Sequence, residues 1–189
     1  MPKKQPQITP SPPVPLTSPL PKIIIFDLDY TLWPFWVDTH VTPPLKASAT
    51  HTSATDRYSE SFSFYTDVPY ILSTLPSLGI TLCIASRTSA PSLARDLLKM
   101  LHLPNGNKSQ EAFSGSMEIY PGSKIKHMES IHKKTGIPYE EMLFFDDEQR
   151  NIETEKLGVT MKLVRDGVTW DEIEKGVQLW RKRNGRVVK

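Results

Sequence analysis

The sequence predicts an α/β domain, a parallel sheet with helices on both of its faces. Three observations carry that prediction. Short apolar runs recur along the chain and alternate with stretches of helical spacing, the order expected of parallel strands joined by crossover helices. The first run, Ile23-Ile24-Ile25-Phe26, is apolar at every position, as suits a strand covered on both sides. Four of the runs are followed by carboxylates, hydroxyls or a lysine, and ligands of such sheets bind beyond the carboxyl ends of the strands.

The elements follow in order. Residues 1–21 hold eight of the chain's seventeen prolines, which remove amide donors and fix φ, so a flexible arm is expected there. Residues 22–183 form the core. After the first strand, Trp33-Pro34-Phe35-Trp36 leads into a Ser/Thr-rich segment from Lys46 to Thr66 without sustained periodicity. Residues 33–66 are therefore expected to be a flap, a long surface loop or short hairpin inserted in the core. Leu72, Leu75 and Leu78 suggest a helix weakened by Pro76, and Ile80 to Ala85 a strand. Leu93, Leu97, Leu98 and Leu101 follow Pro91 at helical spacing. A short strand at Met117 to Tyr120 precedes a helix from Lys124 to Lys134, which Gly136 closes. Met142 to Phe145 reads as a buried strand, Asn151 to Leu157 as helix, Thr160 to Val164 as the last strand, and Thr169 caps a final helix. Residues 184–189 are a basic tail. Its charge suits the negative end of a helix dipole better than a nuclear-localisation patch, which is the alternative.

Bulk properties narrow the function. With 23 basic and 21 acidic residues the net charge is +2, too small a field to attract nucleic acid or an anionic membrane. No stretch approaches the roughly 20 apolar residues of a membrane span, and the proline-studded start lacks the apolar core of a secretory signal. The single cysteine, Cys83, cannot form an internal disulfide and lies in an apolar run as a buried, inert thiol. A reducing, cytoplasmic setting is expected. The five histidines show no zinc-ligand spacing.

The candidate site lies at four strand ends. Asp27 and Asp29, two residues apart, share one face of an extended chain. Ser86, Arg87 and Thr88 follow the second strand, Gly122-Ser123-Lys124 the third, and Asp146-Asp147 the fourth. A parallel sheet brings these sets to one edge, and together they suit Mg²⁺-assisted phosphoryl transfer. Mg²⁺ takes oxygen ligands, for which Asp27 and Asp146 are suited, with Asp29 and Asp147 beside them. Asp27 can attack phosphorus, and Asp29 can pass a proton to the leaving oxygen and take one from water. Ser86 and nearby amides suit phosphate oxygens, and Lys124 suits their charge. Taken singly, each has a plainer reading: Ser123 and Asp147 as helix caps, Lys124 as a solvated helix residue, the Asp pair as a structural cation site. Their coincidence at successive strand ends favours the joint reading. Trp33, Phe35 and Trp36 either wall a pocket for a phenyl or sugar ring or pack a flap onto the core.

These motifs resemble those of the haloacid dehalogenase superfamily: Asp27-Leu28-Asp29-Tyr30-Thr31, then Ser86, Lys124, and Asp146-Asp147. The longer runs Asp27 to His40, Tyr120 to Lys124 and Phe144 to Asn151 are similar to its magnesium-dependent phosphatases in particular. The resemblance implies a three-layer Rossmann-like core with minimal or no cap domain, and hydrolysis through an aspartyl phosphate on Asp27. It assigns Leu28, Ser86, Arg87 and Lys124 to phosphate or substrate, and Asp27, Asp29, Asp146 and Asp147 to the metal. It implies phosphotyrosine or small sugar phosphates as substrates and leaves the oligomeric state open. Dehalogenases of the superfamily lack the second acid, so Asp29 points to phosphorus chemistry. A phosphate-binding or receiver-like signalling domain without turnover is the alternative. A cysteine-dependent phosphatase would need arginine six positions after Cys83, where Ser89 stands.

Overall fold

The structure is a computed structural model that describes residues 16–186. Strand β1 (Ile23–Phe26) leads into the short helix α1 (Val37–His40) and three two-residue strands, β2 (Lys46–Ala47), β3 (Ala54–Thr55) and β4 (Ser61–Phe62). Helix α2 (Val68–Thr74), strand β5 (Thr81–Ser86) and helix α3 (Pro91–Met100) follow. The second half runs β6 (Ser116–Ile119), α4 (Lys124–Thr135), β7 (Met142–Asp146), β8 (Thr160–Leu163) and α5 (Trp170–Arg183).

The main sheet has the order β6-β5-β1-β7-β8, and every neighbouring pair is parallel. Alternation along β1 divides the core in two. Ile24 and Phe26 face a large cluster with α2, α3 and α5, while Ile23 and Ile25 face Met128 and Ile131 of α4. With apolar cover on both faces, β1 carries no polar residue until the chain leaves the sheet at Asp27. Local signals fix the helix ends. The Ser123 hydroxyl accepts from Lys126 N at 3.4 Å at the start of α4, and Gly136 closes it at φ 69°. Thr169 accepts from Glu172 N at 3.2 Å at the start of α5. Arg181, Lys182 and Arg183 occupy the last turn of α5, where the dipole favours them.

Two expectations change and one is refined. The segment from Lys46 to Thr66, expected as a long surface loop or short hairpin, carries three two-residue antiparallel strands, β2-β3-β4, joined by loops. Its strands are too short to show a period of two, and Asp56 organises it instead, accepting from the backbone of Thr42, Tyr58 and Glu60. Ala54, Phe62 and Phe64 bury its inner side. Residues Gln149–Leu157 form the expected helix, of the 3-10 kind. Residues 16–21, placed in the flexible arm, lie against the core: Leu16 and Leu20 pack on it, and Arg181 donates to the carbonyls of Thr17 and Pro19. The rest of the arm, 1–15, and the tail end 187–189 lie outside the described residues. Cys83 is fully buried, and burial pushes its thiol up to about 12.

Helix α5 approaches the sheet closely at Gly176, where an added Cβ would stand 2.5 Å from Phe145 Cζ. Phe145 is itself fully buried and stacked on Phe26 at 5.5 Å, so it has nowhere to go. Gly176→Val is expected to lower stability by about 1–3 kcal/mol through overpacking, outweighing the better helix propensity. Thermal melting checks this; an unchanged or raised Tm would show that the contact yields freely.

Candidate active site

Parallel register assembles the site. Phe26 is level with Ile84 of β5 and with Phe145 of β7, so the next residue on each strand, Asp27, Ala85 and Asp146, stands in one row. Asp27 N donates to Phe145 O at 3.0 Å, and Tyr120 N to Ser86 O at 3.1 Å, which extends the row to the end of β6. Lys124, the first residue of α4, reaches into this row. Its Nζ lies 2.5 Å from Asp27 Oδ1 and 3.0 Å from Asp146 Oδ2, and it also donates to Ala85 O. The side chain is 1% exposed, so the ammonium is bound by protein groups alone.

Within the row, Asp146 is fully buried. Its Oδ1 accepts from Glu148 N and Asn151 Nδ2, both at 2.8 Å, while Oδ2 has only the ion pair with Lys124. Asp146 is not a helix cap, nor is Asp147. In front lies an open concavity of about 180 Å³ lined by Asp27, Asp29, Ser86, Arg87, Lys124 and Asp147, together with Trp36, Asp38, Thr88, Glu148 and Arg150. Six of the eight residues expected at the site thus meet on one wall. Asp146 sits behind it and acts on Asp27 through Lys124. Leu28 has its side chain wholly in the core, and its carbonyl accepts from the amides of Thr31, Leu32 and Trp33, which leaves its backbone amide as the group to meet phosphate. It folds the loop after β1 and brings no side chain to phosphate. Arg87 pairs with Asn151 Oδ1 at 3.4 Å and lies 4.0 Å from Glu148 as it lines the concavity.

Several contributors were not legible as site residues. Trp33 is buried and packs the flap on the core, yet its indole Nε1 donates to Asp29 Oδ1 at 2.7 Å, with Val37 N on the same oxygen at 3.2 Å. Asp38, at the start of α1, accepts from the amide and hydroxyl of Ser89 at 3.1 and 2.8 Å, tying the flap to the loop after β5. Asn151 closes the loop after β7. Its only sequence signal was its place in the run from Phe144.

The charges are unbalanced. Burial pushes Asp29 up to about 6 against the Trp33 and Val37 hydrogen bonds, and burial with the Asp146 charge pushes Asp147 up to about 6. Burial also raises Asp27 well above the ordinary carboxylate range, opposed by Lys124. Burial lowers Lys124, but the Asp27 and Asp146 charges outweigh it and raise it overall. At 2.5 Å the ionised Asp27–Lys124 pair is the form the geometry supports. One lysine does not neutralise four carboxylates, and a hard divalent cation fits the remainder. Among the described residues no three acidic, histidine or cysteine groups form a ready cage.

Removing Lys124 should leave two buried carboxylates without a cation. Lys124→Met is expected to cost about 3–5 kcal/mol at neutral pH. Asp27, which burial already raises, would then take up a proton more readily in the folded chain than in the unfolded one. The deficit should therefore shrink as pH falls from about 8 to about 5. Denaturant melts across that range check this; a deficit that is small, or that widens on acidification, would contradict the electrostatic role.

Comparison with known proteins identifies the family. Residues 19–183 match the family model described as Acid Phosphatase. A HAD-like hydrolase superfamily protein of Schizosaccharomyces pombe is 47% identical over 143 residues, covering 74% of this chain and 83% of that protein. Magnesium-dependent phosphatase 1 of Homo sapiens is 45% identical over 164 residues, covering 86% of this chain and 89% of its own length. Among solved structures, a HAD-superfamily hydrolase from Ehrlichia chaffeensis shares the fold, with a TM-score of 0.57 at 15% identity over 86% of this chain and 99% of that one. The match spans the whole sheet and all four strand-end motifs, and the chain belongs to the acid phosphatase family of the haloacid dehalogenase superfamily.

Proposed function

We propose that this chain is a Mg²⁺-dependent phosphomonoesterase that works through an aspartyl phosphate on Asp27. The observation that carries the proposal is the row of Asp27, Lys124 and Asp146 with Asp29 on the open side. The likeness to the human magnesium-dependent phosphatase supports the choice of ion. Asp27 and Asp147, the strand-end acids on the concavity wall, are the side chains to hold Mg²⁺, with Asp146 behind them. When bound, the ion offsets negative charge on the phosphate and orients it.

Asp27 attacks phosphorus as the ester P–O bond breaks, and the departing alkoxide takes its proton from Asp29. Water then attacks the aspartyl phosphate, Asp29 recovers the proton, and phosphate leaves with Asp27 regenerated. Burial suits Asp29 to both steps, because a carboxyl near 6 holds and releases a proton around neutrality. Ser86, 1% exposed at the end of β5, and Lys124 meet the phosphate oxygens. The open site suits phosphotyrosine and small sugar phosphates as substrates.

Release of phosphate from p-nitrophenyl phosphate tests the reading. Asp27→Asn is expected to abolish turnover, and a chelator to do the same reversibly. Asp29→Asn should lower kcat by about 10²–10⁴-fold, the usual contribution of acid–base catalysis. Full activity in Asp27→Asn, once deamidation is excluded, would refute the nucleophile assignment. A phosphoprotein that persists without turnover would favour the receiver-like alternative.

A further inference from the structure

Next to the phosphate-sized concavity lies a larger one of about 450 Å³, lined by Tyr30, Trp36, Asp147, Leu163 and Arg165. The two have Trp36 and Asp147 in common, so they are contiguous. Trp36 differs from its aromatic neighbours in the chain. Trp33 and Phe35 are buried, whereas Trp36 is 50% exposed. Its ring is nevertheless braced: Tyr30 meets it edge-on at 5.0 Å and 72°, and His40 stacks on it at 5.5 Å and 27°. Its amide donates to His40 Nδ1 at 3.1 Å. A large ring half in water and held by two others is a preorganised stacking face. Tyr30 itself has φ 52°, a left-handed conformation uncommon for a bulky residue and found where a site demands it.

Arg165 supplies the second element. It is exposed, and among the described residues its guanidinium has no hydrogen bond or ion pair. Its loop is nonetheless fixed at both ends. Val164 N donates to Asp146 O and Val168 N to Thr31 O, each at 3.0 Å, which fastens the loop to two of the strand-end loops that build the site. The loop therefore keeps the base of this uncommitted side chain beside the aromatic pair, on the concavity that all three line.

We propose that this second concavity is a leaving-group subsite that selects phosphomonoesters of a flat ring bearing a second anionic group. Tyr30 and Trp36 take the ring, and Arg165 takes the anion. Asp147 faces the phosphoryl end with the cation. The inference rests on the phosphatase reading above and adds to it a substrate class.

Calorimetric titration of the full chain in Mg²⁺ with three non-hydrolysable phosphonates tests this without turnover. Methylphosphonate, benzylphosphonate and 4-(phosphonomethyl)benzoate should bind with rising affinity. The ring should add about five- to tenfold, as an aromatic contact does. The carboxylate should add about a further threefold to fivefold, the size of an exposed charge pair. Arg165→Gln should erase the second step and keep the first; Trp36→Ala should erase the first, and Trp36→Phe restore it. Equal affinity for the two aryl phosphonates, or a carboxylate gain that survives Arg165→Gln, overturns the proposal. Failure of all three to bind removes it together with the phosphate site. Binding of the expected pattern with no hydrolysis of p-nitrophenyl phosphate upholds the subsite and removes only the hydrolase reading.

Discussion

A single ammonium, Lys124 Nζ, joins the ends of three adjacent strands: β5 through Ala85 O, β1 through Asp27 and β7 through Asp146. Taking that charge and its partners out of water costs several kcal/mol each, and the attraction between them offsets this only when the geometry is good. The cluster is therefore a constraint on the whole fold as much as a bond within it. A slip of one residue between β1 and β7 would turn Asp27 or Asp146 towards the opposite face and leave the lysine without its pair. Helix α4 is held to the same condition, because Ser123 starts it one residue before Lys124.

Around this cluster the remaining polar groups form a second tier that sets orientation. Asn151 holds Asp146 and reaches Arg87, while Asp38 ties the flap to the loop after β5. Both link segments far apart in sequence to the row of strand ends. The flap contributes mainly through its root, the aromatic run from Trp33 to Trp36, rather than through the small sheet beyond it. An active centre with only this much cover remains open to solvent on one side, so its electrostatics are set by the protein behind and by water in front.

Much of the site was legible because its determinants are local. A fully apolar strand such as Ile23–Phe26 announces burial, and a carboxylate directly after it announces a task. Lys124 was legible through the Gly-Ser turn that precedes it. The partner of each acid was not, since Trp33 reading Asp29, or Asn151 reading Asp146, depends on how loops fold back. Leu28 divides its roles: its side chain serves the hydrophobic core, and only its backbone is left for phosphate. The β2-β3-β4 sheet was hidden because two-residue strands leave no alternation to detect. Residues 16–20 were hidden because the attraction of their carbonyls to Arg181 spans the length of the chain.

The indole of Trp33 has one more consequence. It and the Val37 amide both occupy Oδ1 of Asp29, and no hydrogen bond within the described residues engages Oδ2. On the proposed mechanism a single oxygen then both gives up and regains the proton. The departing alcohol and the incoming water must occupy the same spot in succession, so the second half-reaction waits until the first product has moved away.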